Sequence, residues 1–233
     1  MNKTAIVLLM VCALVASVSA QKKMKPWTEW SEKDAQKILD NSPWGQTQVE
    51  TDISEMFYSP TTQGQQSRQG ALNQATPTNF RIRFLSAKPI RQAFARVMEA
   101  QQKQPNPQLS ERLRNFIDRK FDDLIVVAVA FDSKDGRFSG AAMQAFNSAI
   151  TSTLKNNTYL EVKGGKRLFL EAYQAPSNDG LGAKFIFPRI VEGQPFIKPE
   201  SGEVRFYSEI AGSLKLNMRF KVADMIYDGQ LEY

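Results

Sequence analysis

No histidine occurs in this chain, and its single cysteine, Cys12, lies inside an apolar run near the start. Beyond that run the chain therefore has no Ser-His-Asp triad, no cysteine nucleophile, no thiol redox pair and no zinc site built from His or Cys. What survives is carboxylate, lysine or serine chemistry, oxygen-ligated metals, or binding without catalysis. No GxSxG elbow, P-loop or GxGxxG spacing is present. Asp132-Ser133-Lys134-Asp135-Gly136 resembles the start of a calcium loop, but the later ligands and closing glutamate are missing and Lys134 repels a cation. A strand-to-helix turn accounts for those residues, with Ser139 as a helix cap. Asp122 and Asp123 are adjacent acids. Glycoside hydrolysis needs two carboxylates at a set separation in space, and two neighbouring solvent-facing acids are the simpler reading. Neither a cofactor nor a metal is expected.

Two groups of residues suit binding better than catalysis. Trp27, Trp30 and Trp44 are the chain's three tryptophans, all within KPWTEWSEKDAQKILDNSPWG, residues 25–45. They are either an aromatic platform, as for a sugar ring, or a packed brace. Trp30 precedes a helix signal and reads as a staple residue; Trp27 and Trp44 lie outside that helix. The second group, Arg81, Arg83, Lys215, Arg219 and Lys221, occupies the polar parity of alternating strands. If those faces coincide they form a basic surface for an acidic glycan, a lipid headgroup or a protein; a solvated sheet face is the plainer alternative. Nucleic acid is not expected, because the aromatics of FRIRF and MRFKV share parity with the aliphatics and so belong to the core face. Lys+Arg 30 against Asp+Glu 24 gives +6, with the two signs interleaved.

The elements that hold these residues follow from periodicity. Residues 1–20, with Lys3, an apolar run and small residues at Val18 and Ala20, read as a secretory signal peptide cleaved after Ala20. Residues 21–233 read as a single domain with no transmembrane span, exported to the periplasm or beyond. Ser31 and Asp34 make a capping box for a short helix with Ala35, Ile38 and Leu39 on one side. QTQVETDISEMF, residues 46–57, is a weak strand pattern, and residues 58–79 form a long polar loop. FRIRFLSA is an alternating strand. Two helices follow, with Ile90, Phe94, Val97 and Met98 on one stripe and Leu109, Leu113, Phe116 and Ile117 on the other. LIVVAVAF reads as the central strand, and a further helix over 140–154 has Met143, Phe146, Ile150 and Leu154 inward. From Thr158 the period is two: TYLEV and KRLFLEAY around Gly164-Gly165, then AKFIF, VRFYSEI and LKLNMRFKV, with a bulge near Ala223 and a tight turn at Asp228-Gly229. The class is α+β, an antiparallel sheet with three or four helices packed on one face.

WTEWSEKDAQKILDNSPW, FRIRFLSAKPIRQAF, SGEVRFYSEI and LKLNMRFKVADMIYDG carry a resemblance. From the tryptophan segment onward the chain is similar to a group of small exported bacterial proteins, of acidobacterial type, with no assigned activity. The resemblance implies an envelope location and supplies neither a catalytic residue nor a ligand. The expected function is a non-enzymatic exported domain that binds a protein or a cell-envelope component, such as an envelope polymer. The alternative is a carboxylate-based glycan hydrolase with a tryptophan sugar platform.

Overall fold

The computed structural model describes residues 25–50, 77–133 and 136–233. The expected signal segment and residues 58–76 of the expected loop lie outside the described residues. So do residues 51–57 of the expected first strand.

Helix α1 spans Glu32–Asp40, α2 Lys88–Ala100, α3 Pro107–Asp118, α4 Gly136–Ser148 and α5 Thr151–Leu154. Each of the first three starts where its sequence dictates. Ser31 accepts from the Asp34 amide at 3.1 Å and Asp34 accepts from the Ser31 amide at 3.2 Å, the predicted capping box. Pro89 sits in the first turn of α2, and Pro107 opens α3 after an Asn106 cap. The α2 cap position is Ala87, which has no side-chain acceptor; the Glu232 carboxylate supplies one to the Lys88 amide at 2.9 Å.

The strands are β1 (Gly45–Glu50), β2 (Thr78–Phe84), β3 (Leu124–Ser133), β4 (Thr158–Val162), β5 (Arg167–Phe169), β6 (Ala172–Gln174) and β7 (Ala183–Pro188). They continue as β8 (Ile190–Val191), β9 (Gln194–Pro195), β10 (Glu203–Ile210), β11 (Leu214–Lys221), β12 (Ile226–Tyr227) and β13 (Gln230–Leu231). All pairings among the described residues are antiparallel, in keeping with the α+β class. The strands divide into a five-stranded sheet, order β1-β2-β3-β7-β6, a four-stranded sheet, order β11-β10-β4-β5, and two short ribbons.

The two main sheets pack face to face through phenylalanines. Phe84 meets Phe220 at 4.9 Å between ring centres, and Phe206 meets Phe185 at 5.3 Å and Phe187 at 6.4 Å. All five rings are buried. Period-two alternation puts Phe80, Ile82 and Phe84 on this inner face, in register with Phe131, Val129 and Val127 of β3. The end of that face beyond the seam is closed by α4, where Phe146 stacks on Phe131 at 5.2 Å.

The opposite face of the five-stranded sheet carries helices. There α1 crosses β1 and β2 so closely that a Cβ on Gly45 would sit 2.5 Å from the Leu39 carbonyl oxygen. Only glycine permits that approach. Ile90, Ala93 and Val97 of α2 join the main core, while Ala95 packs with Leu113 and Ile117 of α3 in a second cluster. Three helices therefore lie on one side and α4 on the other.

Some sequence expectations are corrected. Thr78 and Asn79 belong to β2, not to the loop, because Thr78 continues the buried parity of Phe80. The helix expected over 140–154 is interrupted at Ala149 and Ile150; Ile150 is exposed in the break and Met143 is exposed within α4, while Phe146 and Leu154 are buried. KRLFLEAY is not one strand: β5 pairs with β4, then the Glu171 amide donates to Ile186 and the chain joins the other sheet as β6. The bulge expected near Ala223 is a 3-10 turn over Val222–Asp224. Asp228 and Gly229, with φ of 49° and 78°, make the expected tight hairpin turn.

Candidate functional site

The tryptophan segment is built inward. Trp30 and Trp44 are 4% and 3% exposed, and each indole nitrogen has a carbonyl acceptor, Lys25 at 2.8 Å and Glu232 at 2.9 Å. Arg96 of α2 donates to the Trp30 carbonyl at 2.6 Å. Trp44 meets Tyr227 edge to face at 6.0 Å. Trp27 is half-buried and packs against both core clusters. Two of the three indoles are thus closed to a ligand, and the third lies partly in a helix junction.

The expected five-cation surface divides in two. Arg81 and Arg83 lie on the face of β2 that α1 covers. Arg83 is 7% exposed; its Nε donates to the Leu39 carbonyl at 2.8 Å and it pairs with Asp40 at 2.9 Å. Burial draws its guanidinium downward from the usual range, against the opposing pull of Asp40. Arg81 bridges Asp40 at 3.1 Å and Asp132 at 2.5 Å. The alternation in FRIRF was legible; the helix that would cover its polar side was not. Asp132 of the calcium-like stretch is thereby engaged with Arg81, and among the described residues no cluster of His, Cys, Asp or Glu has metal-site geometry.

Lys215, Arg219 and Lys221 do share a surface: the outer face of the four-stranded sheet, where all three are exposed. The register lays two rows across it. One runs Arg167–Glu161–Arg205–Arg219, the other Phe169–Tyr159–Tyr207–Asn217, each on β5, β4, β10 and β11 in turn. Glu161 accepts from Arg167 Nε at 2.6 Å and pairs with Arg205 at 3.5 Å. Arg205 Nε donates to Asn217 at 2.8 Å. Tyr159 and Tyr207 stack at 5.1 Å, Arg167 lies 4.3 Å from the Tyr159 ring centre, and Phe169 meets Tyr159 edge on at 5.9 Å. Guanidinium and ring therefore shield one another, and Phe169, 46% exposed, presents its ring to solvent.

The charge on this face is uneven. Lys215 stands opposite Glu209, Lys221 opposite Glu203, and Glu161 is shared by two arginines. Arg219 stands opposite Arg205, a like-charge pair that costs stability in isolation. Its ion pair with Glu203 at 3.4 Å joins two well-exposed side chains and contributes little. The Arg167 hydrogen bond holds the Glu161 carboxyl below its usual range, and the same bond moves Arg167 upward. Burial raises the Tyr207 hydroxyl, with the Glu209 charge acting in the same direction.

Arg167, Phe169, Tyr159, Glu161, Arg205 and Tyr207 escaped the sequence reading. Their signal was parity: in TYLEV, KRLF and VRFYSEI these residues alternate with Leu160, Leu168 and Phe206, which are buried. Asp122 and Asp123 are exposed in the turn before β3. A separate cavity of about 300 Å³ beside the β8–β9 ribbon has Lys166, Lys198 and the single acid Glu192 in its wall. No helix among the described residues is long and apolar enough to cross a membrane. No family model, curated protein or solved structure matches the chain.

Removing the Trp30 ring opens a cavity beneath α1, so Trp30→Ala is expected to lower unfolding free energy by about 3–5 kcal/mol. Urea denaturation measures this, and an unchanged midpoint would contradict the buried-brace geometry. Glu161 contributes stability that is complete above its unfolded value near 4.5 and is lost as pH falls through the lower folded value. The stability gap between wild type and Glu161→Gln should therefore be present at pH 7 and close in acid below that unfolded value. A gap that persists unchanged in acid would contradict the ion-pair assignment.

Proposed function

We propose that this chain is a non-enzymatic binding domain that holds a cell-envelope polymer on the outer face of its four-stranded sheet. The observation that supports this reading is the cross-strand row Phe169–Tyr159–Tyr207 flanked by Arg167, Arg205 and Arg219 on one solvent-facing sheet surface. The rings and guanidiniums are held by stacking and by Glu161, so the surface is ordered before a ligand arrives and little side-chain freedom is lost on contact. A large protein partner fits less well. A protein interface gathers a contiguous apolar centre, and Phe169 is the one exposed large apolar side chain among the described residues of this face. The export signal read in residues 1–20 directs attention to envelope polymers. Binding without catalysis also accords with the chemistry available. The carboxylates of this face are engaged by arginines or stand opposite lysines, and Trp30 and Trp44 are buried, which removes two of the three indoles proposed as a sugar platform.

Co-sedimentation of the full chain with isolated bacterial cell-wall material tests the reading. Wild type should pellet with the wall. The double variant Phe169→Ser with Arg219→Glu should lose at least tenfold in bound fraction with little change in melting temperature, since both side chains are exposed. Trp27→Ala should bind as wild type. Loss of binding in Trp27→Ala with full binding by the double variant would move the contact to the tryptophan segment.

A further inference from the structure

We infer that the polymer taken by this face is a carboxylated polysaccharide, seated with a sugar ring against Phe169 and its acid groups along the arginine row. The inference rests on the proposed binding role and specifies its ligand. The first support is charge. Five cations meet three carboxylates on the face, and the excess is concentrated where Arg205 and Arg219 stand opposite each other. A bound carboxylate relieves that like-charge contact and completes the guanidinium hydrogen bonding of Arg219, whose side chain is 66% exposed. The second support is shape. A row across four strands is ~14 Å long at ordinary strand spacing, the span of a few residues of an extended chain. The aromatic row begins at the open Phe169 ring on β5, and the adjacent row ends at the open Arg219 on β11.

The arrangement also separates ligand classes. An acidic peptide would use the cations but leave the Phe169 ring without a specific partner. Single-stranded nucleic acid stacks successive bases on open aromatic faces. Here Tyr159 is 8% exposed, with Arg167 over its ring and Tyr207 stacked beside it. One open ring beside a row of three arginines, whose single carboxylate Glu161 is already held by Arg167 and Arg205, matches a polymer that alternates weakly apolar ring faces with carboxylates.

The test is affinity electrophoresis of the full chain through gels containing polygalacturonate, neutral dextran, polyglutamate or a thymidylate homopolymer. Polygalacturonate is expected to retard wild type at least tenfold more than dextran at low salt, with the effect falling as ionic strength rises. Arg219→Glu should abolish the retardation, and Phe169→Ala should weaken it on polygalacturonate while leaving polyglutamate mobility unchanged. Circular dichroism confirms that each variant is folded. Equal retardation by dextran and polygalacturonate would overturn the inference, as would stronger retardation by polyglutamate or thymidylate. In those cases binding to wall material through this face would still stand, whereas failure of the wall co-sedimentation removes both.

Discussion

Everything in this fold that faces outward is decided by the phenylalanine seam between the two sheets. Phe206 sits against both Phe185 and Phe187, and Phe220 against Phe84, so four strands from distant parts of the chain share one apolar layer. Side chains alternate along a strand, and a shift of one residue in β10 or β11 would place Arg205 and Arg219 in that layer. Burying two unpaired guanidiniums costs far more than any compensating contact could return. The seam thus locks the register, and the register delivers the basic and aromatic rows to the solvent side.

Two further devices keep that side in place. The edge of β11 is met by a side chain: the Gln48 amide donates to the Lys215 carbonyl and accepts from the Asn217 amide, both at 2.7 Å. It mimics a neighbouring strand and joins the edges of the two sheets without extending either. On the far side of the molecule, Arg91 is buried and donates to the carbonyls of Leu85, Ser86 and Ile117, with the Phe121 ring 4.9 Å away. Burial lowers its value to about 10, which leaves it charged at neutral pH. That clamp fixes the end of α3 to the turn preceding α2. The helical layer is in this way a rigid backing for the five-stranded sheet, and the four-stranded sheet is left with one open face.

The strands of the last third were legible because their alternation is nearly unbroken: Leu214, Leu216 and Phe220 are buried, and Lys215, Asn217 and Lys221 are exposed. The capping box of α1 and the turn at Asp228-Gly229 were legible because each depends on a few adjacent residues. The partition into two sheets was not. Nothing local in KRLFLEAY marks the point where the chain leaves β5 for β6, since Leu170 and Glu171 continue the same composition. Arg81 and Arg83 were misplaced for a related reason: their polar parity was read correctly, yet a charged strand face can be covered when a helix end brings Asp40 to meet it. The arginine and tyrosine rows were not legible because tryptophan is the stronger sequence signal, while among the described residues the exposed phenylalanine is Phe169 and the stacked rings are tyrosines.

The molecule as described is a sandwich of two antiparallel sheets with its helices committed to packing and one decorated face left open. Trp30 and Trp44 serve the core, and the open face carries arginines, tyrosines and, among the described residues, the exposed Phe169. The most direct test is an amide chemical-shift map of the full chain titrated with short oligogalacturonates. Binding on the open face predicts that the shifted resonances fall on β4, β5, β10 and β11, centred on Tyr159, Arg205, Tyr207 and Arg219. Shifts confined to the Trp27 segment and α1–α3, or no saturable shifts at all, would contradict it.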